Sequence, residues 1–456
     1  MKQEPKHISA TNRGLADPKD RLFVVALVVQ LLVSTVLGAA IVGAVNRAGD
    51  APVQVVHELP SQSVQPSVQP TGSSGSRTMT TVLGGRKVTT DQTVGVSAGE
   101  IKIGGLFTLS GPGDGTVALH AVQAYFNMVN ATGGVHGRKL RYVTRDDKFD
   151  PSIGFAATKD LAENQKVFAM ASWVAPNSEN DQTIKYLTDR GIPLVGNFGQ
   201  PAEYKSRISY PFSANWTVSP RLVVRHLAKV LGMKKIALVW VHLTNEIDGI
   251  VTSSANDEAA KWGAKIVYTE AADVAKPVYD DTVVNAQGNG ADGMGTILDA
   301  FSASRYWQSF ARGSWRPPQV GYAFAMDPQP TQVIPSGYEE VYGIQEMELP
   351  GNQTPPVAEY LAKMKKYYPG DMDKLSWGSE LTWLGAKMLV AGLERAGPNP
   401  TREGLLAAFD SMTDFDSGFA PPYTIRPGNH DFINCMKAAK LTSTRTWVQS
   451  SDWFCV

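Results

Sequence analysis

The chain has 456 residues, 43 Lys+Arg against 43 Asp+Glu, 43% hydrophobic and 19% charged residues, and two cysteines. That length exceeds what one core usually serves, roughly 250–300 residues, so at least two lobes are expected. Zero net charge offers no footprint for a polyanion, and two cysteines without a CxxC or Cys/His cluster argue against a metal, so neither nucleic acid, metal nor cofactor is expected.

The N-terminal segment comes first. Leu22 to Asn46 carries no charged residue, and about 20 apolar residues at 1.5 Å each cross a bilayer core. A transmembrane signal-anchor helix is therefore expected at 22–46. Lys2, Lys6, Arg13, Lys19 and Arg21 precede it and only Arg47 follows closely, which places the tail 1–21 in the cytoplasm and the remainder outside. The competing reading is a cleaved signal, with Val42-Gly43-Ala44 as a small-residue cleavage pattern; the protein is then secreted. With no cysteine before Cys435, a lipid anchor is not expected. Residues 47–97, with Ser-Val-Gln-Pro repeated between Ser63 and Pro70, read as a Pro/Ser/Gly/Gln-rich linker.

From Ile101 onward the sequence alternates. Ile101–Phe107 reads as a buried strand ended by Ser110-Gly111-Pro112-Gly113. Ala118, Val122, Tyr125, Phe126 and Val129 recur at helical spacing before Thr132-Gly133-Gly134. Strand 139–145, helix 151–164, strand 167–171, helix 178–190 and strand 192–196 complete a first βαβα series, for which a parallel sheet covered on both faces is expected. A second series follows: helix 220–231, strand 236–241, helix 250–262, strand 265–269, helix 279–289 and strand 293–298. Helices at 355–368, 377–395 and 401–409 then suit packing back onto the first lobe. In the tail, Cys435 and Cys455 are expected to form a disulfide outside the cytoplasm, closing a loop worth roughly 3 kcal/mol. Two open α/β units imply lobes with a cleft, and ligands of such sheets sit outside the carboxyl ends of the strands.

The segments Ile101–Pro112, Asn130–Leu140, Arg145–Pro151 and Asp189–Val195, in this order and spacing, make residues 98–430 similar to the type I periplasmic binding proteins of the leucine/isoleucine/valine-binding-like branch, the extracytoplasmic substrate-binding proteins of ABC transporters. The resemblance implies two αβ lobes, residues 98–217 with 349–423 and residues 218–348 with 424–456, joined by three crossover hinge strands near Thr217, Tyr342–Leu349 and Tyr423. It also implies ligand contacts in the loops after the third and fourth strands, here Ser172, Trp173, Asn177, Ser178, Phe198, Gly199 and Gln200. A helix starting at Asn177 or Ser178 would aim its N–H groups at the cleft, or those residues would simply cap it. Lobe two is expected to add Thr244, Phe301 and Asp327. The acidic residue that pairs a ligand ammonium is out of register, Asp327 lying a few positions late, so the ligand class widens from amino acids to amides and apolar or aromatic organic acids, with Trp173, Phe198, Phe301 and Tyr306 as apolar wall candidates.

Enzyme motifs fail on geometry. Ser110–Thr116 has neither GxGxxG nor GxxxxGK[ST], and no GxSxG or HExxH occurs. Asp146 and Asp147 are adjacent on a strand and point to opposite faces, while Asp150 suits a helix cap. The expected function is non-enzymatic capture of a small molecule by hinge closure, with delivery to the permease subunits of an ABC importer. The alternatives are a sensing module that acts through a membrane partner without transport, and an exported α/β hydrolase.

Overall fold

A computed structural model describes residues 78–83, 86–111, 113–413 and 415–456. The tail 1–21, the membrane helix expected at 22–46 and the stretch 47–77 lie outside the described residues. Among the described residues no helix is long and apolar enough to cross a membrane.

The first described element is an antiparallel hairpin of β1 (Thr78–Leu83) and β2 (Arg86–Asp91), where the sequence reading runs the linker on to residue 97. The physical reason is local: two Thr- and Val-bearing runs flank Gly84-Gly85, a two-residue turn signal. Beyond the hairpin, the Gln92 carbonyl accepts from Arg402 N and the Gln92 Oε1 from Glu403 N, which fixes the chain to the body before the main sheet begins.

The strands β3 (Glu100–Phe107), β4 (Lys139–Asp146), β5 (Ala169–Ala171), β6 (Leu194–Val195) and β7 (Ser209–Tyr210) form a wholly parallel sheet ordered β4-β3-β5-β6-β7. They alternate with α1 (Thr116–Ala131), α2 (Pro151–Lys159), α3 (Asp181–Asp189) and α4 (Pro201–Tyr204). In α1 the buried residues Ala118, Leu119, Ala121, Val122, Tyr125 and Phe126 trace one apolar stripe. Asp150 caps α2, accepting from Ser152 N and Ile153 N with Pro151 in the first turn.

A second series runs α5 (Val218–Arg225), β8 (Lys235–Val241), α6 (Asn245–Lys261), β9 (Lys265–Ala272), α7 (Asp280–Gly288), β10 (Gly293–Ile297), α8 (Ala300–Arg312), β11 (Gln319–Tyr322), α9 (Pro328–Val333) and β12 (Val341–Gln345). Its strands pair in parallel in the order β9-β8-β10-β11-β12. Both sheets therefore follow a second-first-third-fourth-fifth order. The chain then adds α10 (Pro355–Tyr367), α11 (Trp377–Ala396) and α12 (Arg402–Asp410), with α10 and α11 against α1 of the first sheet and α12 against α11. Finally β13 (Cys435–Leu441) and β14 (Trp447–Gln449) extend the second sheet antiparallel beyond β12, and β15 (Phe454–Cys455) pairs with β13. Cys435 and Cys455, facing each other across that last pairing, form a disulfide.

Candidate ligand-binding site

Where strand order reverses, adjacent strands send their connections to opposite faces of the sheet, which leaves a crevice at their carboxyl ends. Here the reversals fall between β3 and β5 and between β8 and β10. A cavity of about 560 Å³ opens at both, within the roughly 300–1,000 Å³ usual for small-molecule sites. The first sheet supplies Thr108 and Gly113–Gly115 after β3, Phe149 after β4, Val174 and Pro176 after β5, and Phe198 after β6. From the second come Val241 and Leu243 after β8, Val274 after β9, Ile297–Phe301 after β10, and Tyr322, Phe324 and Asp327 at the end of β11. Further wall comes from Trp216, on the passage between the sheets, from Asp373, Lys374, Ser376 and Gly378 at the start of α11, and from the first turns of α1 and α9.

The wall is aromatic at its centre. The Phe198 ring lies 6.2 Å from Trp216, 6.4 Å from Phe324 and 5.7 Å from Trp377, and Phe324 meets Trp377 edge-on at 4.6 Å. Such offset and edge contacts add to the area the rings bury, so the surface is preformed. Two inner carboxyls punctuate it. Asp327 is buried, its Oδ1 accepts from Trp377 N at 2.8 Å, and burial pushes its carboxyl up to about 7. Asp299 caps α8, its Oδ1 accepting from Phe301 N and Ser302 N, while its Oδ2 is buried with no hydrogen-bond partner among the described residues.

Behind the wall lie further buried carboxyls. Glu346 accepts from Ala214 N at 3.1 Å, Tyr322 OH at 2.7 Å and Trp377 Nε1 at 3.2 Å, and burial raises its pKa above the ordinary carboxylate range. Glu179 accepts from Ala175 N and Glu203 from Gln200 N. Burial, followed for Glu179 by the Glu203 charge beside it, pushes both carboxyls up. Two such groups near each other in a dry interior disfavour carrying both charges at once.

Of the residues expected at the site, Phe198, Phe301 and Asp327 stand on the cavity wall. The others lie off the wall, most of them bonded inside the protein, although Trp173 Nε1 and Gln200 Nε2 are buried without a hydrogen-bond partner among the described residues. Ser172 Oγ donates to the Thr382 carbonyl and Ser178 Oγ to Asp147 Oδ2. Asn177 Nδ2 donates to the Phe149 carbonyl, and Trp173 is fully buried. A Cβ on Gly199 would stand 2.4 Å from the Tyr204 hydroxyl, Gln200 precedes α4 with its side chain buried, and Thr244 caps α6. Tyr306 is buried, its hydroxyl donating to Gln319 Oε1. The helix expected to start at Asn177 or Ser178 starts instead at Asp181 with Asn180 as its cap, because Asn180 Oδ1 reaches Thr183 N. Asp299 and Trp216 were missed, although an Asp directly after an apolar run and before Phe301–Tyr306–Trp307–Phe310 at helical spacing is the signal of a strand end meeting a helix cap.

The family profile described as "Periplasmic binding protein" matches residues 100–446. No curated protein matches. Solved structures with this fold include the fatty acid ABC transporter substrate-binding protein from Thermomonospora curvata, with TM-score 0.68, 20% identity, and coverage of 80% of this chain and 95% of that one. A branched-chain amino acid ABC transporter protein from Thermus thermophilus with bound valine gives TM-score 0.69 at 16% identity over 78% and 97% of the two chains. A solute-binding protein from R. palustris in complex with 4-hydroxybenzoate gives 0.67 at 17% over 78% and 97%. The chain belongs to the periplasmic binding protein family, whose two-lobe α/β fold and cleft between the lobes it carries.

Proposed function

We propose that this chain is an extracytoplasmic solute-binding protein that captures a small, largely apolar molecule between two lobes, residues 98–217 with 349–423 and residues 218–348 with 424–456, and presents it to an ABC-type importer. The observation that carries this reading is the aromatic cavity at the switch points of both parallel sheets. Desolvated contacts from both sides stabilise the shut form over the open one, so the guest shifts a hinge equilibrium. Neither residue chemistry nor motif supplies a nucleophile paired with a base, so the reading is binding without turnover. Solution scattering and thermal melting of the full chain against a metabolite library test it. A true guest at 100 times its Kd adds about 2.7 kcal/mol of stability and reduces the radius of gyration. A library that produces neither effect refutes the reading.

A further inference from the structure

We propose that the guest is an apolar organic cation, an aryl- or alkyl-ammonium without a carboxylate, seated among the aromatic rings with its charge toward Asp299 and Asp327. This rests on the binding reading above and adds the sign of the ligand's charge. The natural seats for a guest carboxylate are helix N-termini, whose free N–H groups and dipoles favour anions. Four helices begin at this cavity, α1, α8, α9 and α11, and an aspartate of the protein itself stands at each of those N-termini, Asp327 being also the residue from which α9 starts. Asp114 accepts from Thr116 N of α1, Asp299 from Phe301 N and Ser302 N of α8, and Asp327 from Trp377 N of α11.

The rest of the wall points the same way. Lys374 is exposed beside Asp373, so among the described residues no positive side chain stands in the inner wall to meet an anion. The inner ionisable groups are the two carboxyls, Asp327 7% exposed and Asp299 with a buried, unpartnered Oδ2. Behind Asp327 the nearby Glu380 adds carboxyl rather than cationic character. Around them stand the aromatic residues Phe149, Phe198, Trp216, Phe301, Tyr322 and Phe324, and the quadrupole of such a ring attracts an ammonium lying over its face within about 6 Å. Thr108 and Ser376 can serve either charge and do not discriminate.

The test uses the full chain with three probes of matched skeleton, 3-phenylpropylamine, phenylalanine and 3-phenylpropanoate, in calorimetry and thermal melting. The amine is expected to bind at least about tenfold tighter than the acid, the fold-change of a charged hydrogen bond lost or left unpaired. Asp299→Asn and Asp327→Asn are each expected to weaken the amine about tenfold, since Asn preserves the cap at α8 and the size of the buried group at α11 but not the charge. Should Asp327→Asn fail to fold, Asp299→Asn decides alone. Binding of the acid as tightly as the amine overturns the charge assignment and leaves the binding reading in place. Amine affinity unchanged by the Asn substitutions overturns the seat. Silence from all three probes and from every other small molecule overturns both.

Discussion

Glu179 and Glu203 show how far one side chain's setting departs from its composition. Glu179 lies in the loop just after Val174 and Pro176 and Glu203 in α4, just after Phe198, and the two hold the loops behind the cavity wall through Ala175 N and Gln200 N. A carboxyl whose pKa is higher folded than unfolded binds its proton more tightly in the native state. Through Glu203, folding therefore loses stability as pH climbs from the ordinary value of 4.5 toward 7, and that group's loss is complete above that range. Acidification from pH 7 to 5 is expected to restore stability through this pair. In Glu203→Gln the amide has no proton to lose, so melting temperatures across pH 5–7 should fall less steeply than in the native chain; equal slopes would exclude Glu203 as a group that titrates there. Asp327, also pushed up to about 7 by burial, contributes with the same sign and persists in the variant as background.

At the scale of elements, the junction between the first sheet and α11 depends on two glycines. Gly196, with φ of 68°, ends β6, and a Cβ there would stand 2.1 Å from the Gly385 Cα of α11. Positive φ and backbone contact exclude any side chain. Gly196→Ala is expected to cost about 1–3 kcal/mol in denaturant unfolding and to displace the loop that carries Phe198, lowering ligand affinity as well. A fully native denaturation midpoint would show that the close approach gives way without cost. The alternation of strands and helices was legible in the sequence because β8 is apolar on both faces and α1 shows a clean stripe. Helix starts were less legible: Ser178 and Asn180 are both good caps, and only the fold decides that Ser178 turns to Asp147 while Asn180 reaches Thr183 N. The wall itself was legible only at Phe198, Phe301 and Asp327, since Trp216 sits on a passage between sheets and Phe149 in a turn, positions that no periodicity marks.

For the molecule as a whole, the two parallel sheets repeat one strand order, and the chain passes between them after β7, after β12 and after α12. Glu346 gathers two of these passages, taking Ala214 N from the first and lying itself on the second, while holding the Trp377 indole at the head of α11. The passages between the sheets and the aromatic wall are thus one hydrogen-bonded unit. Trp216 belongs to both, buried on the first passage and facing the cavity. An indole in that position is a built-in optical gauge. Its emission responds to the polarity around it, so expulsion of water by a guest should shift the spectrum to the blue, and Trp216→Phe should abolish most of that shift while titration by heat remains measurable. Binding of a guest would then be followed by light alone, without an attached label.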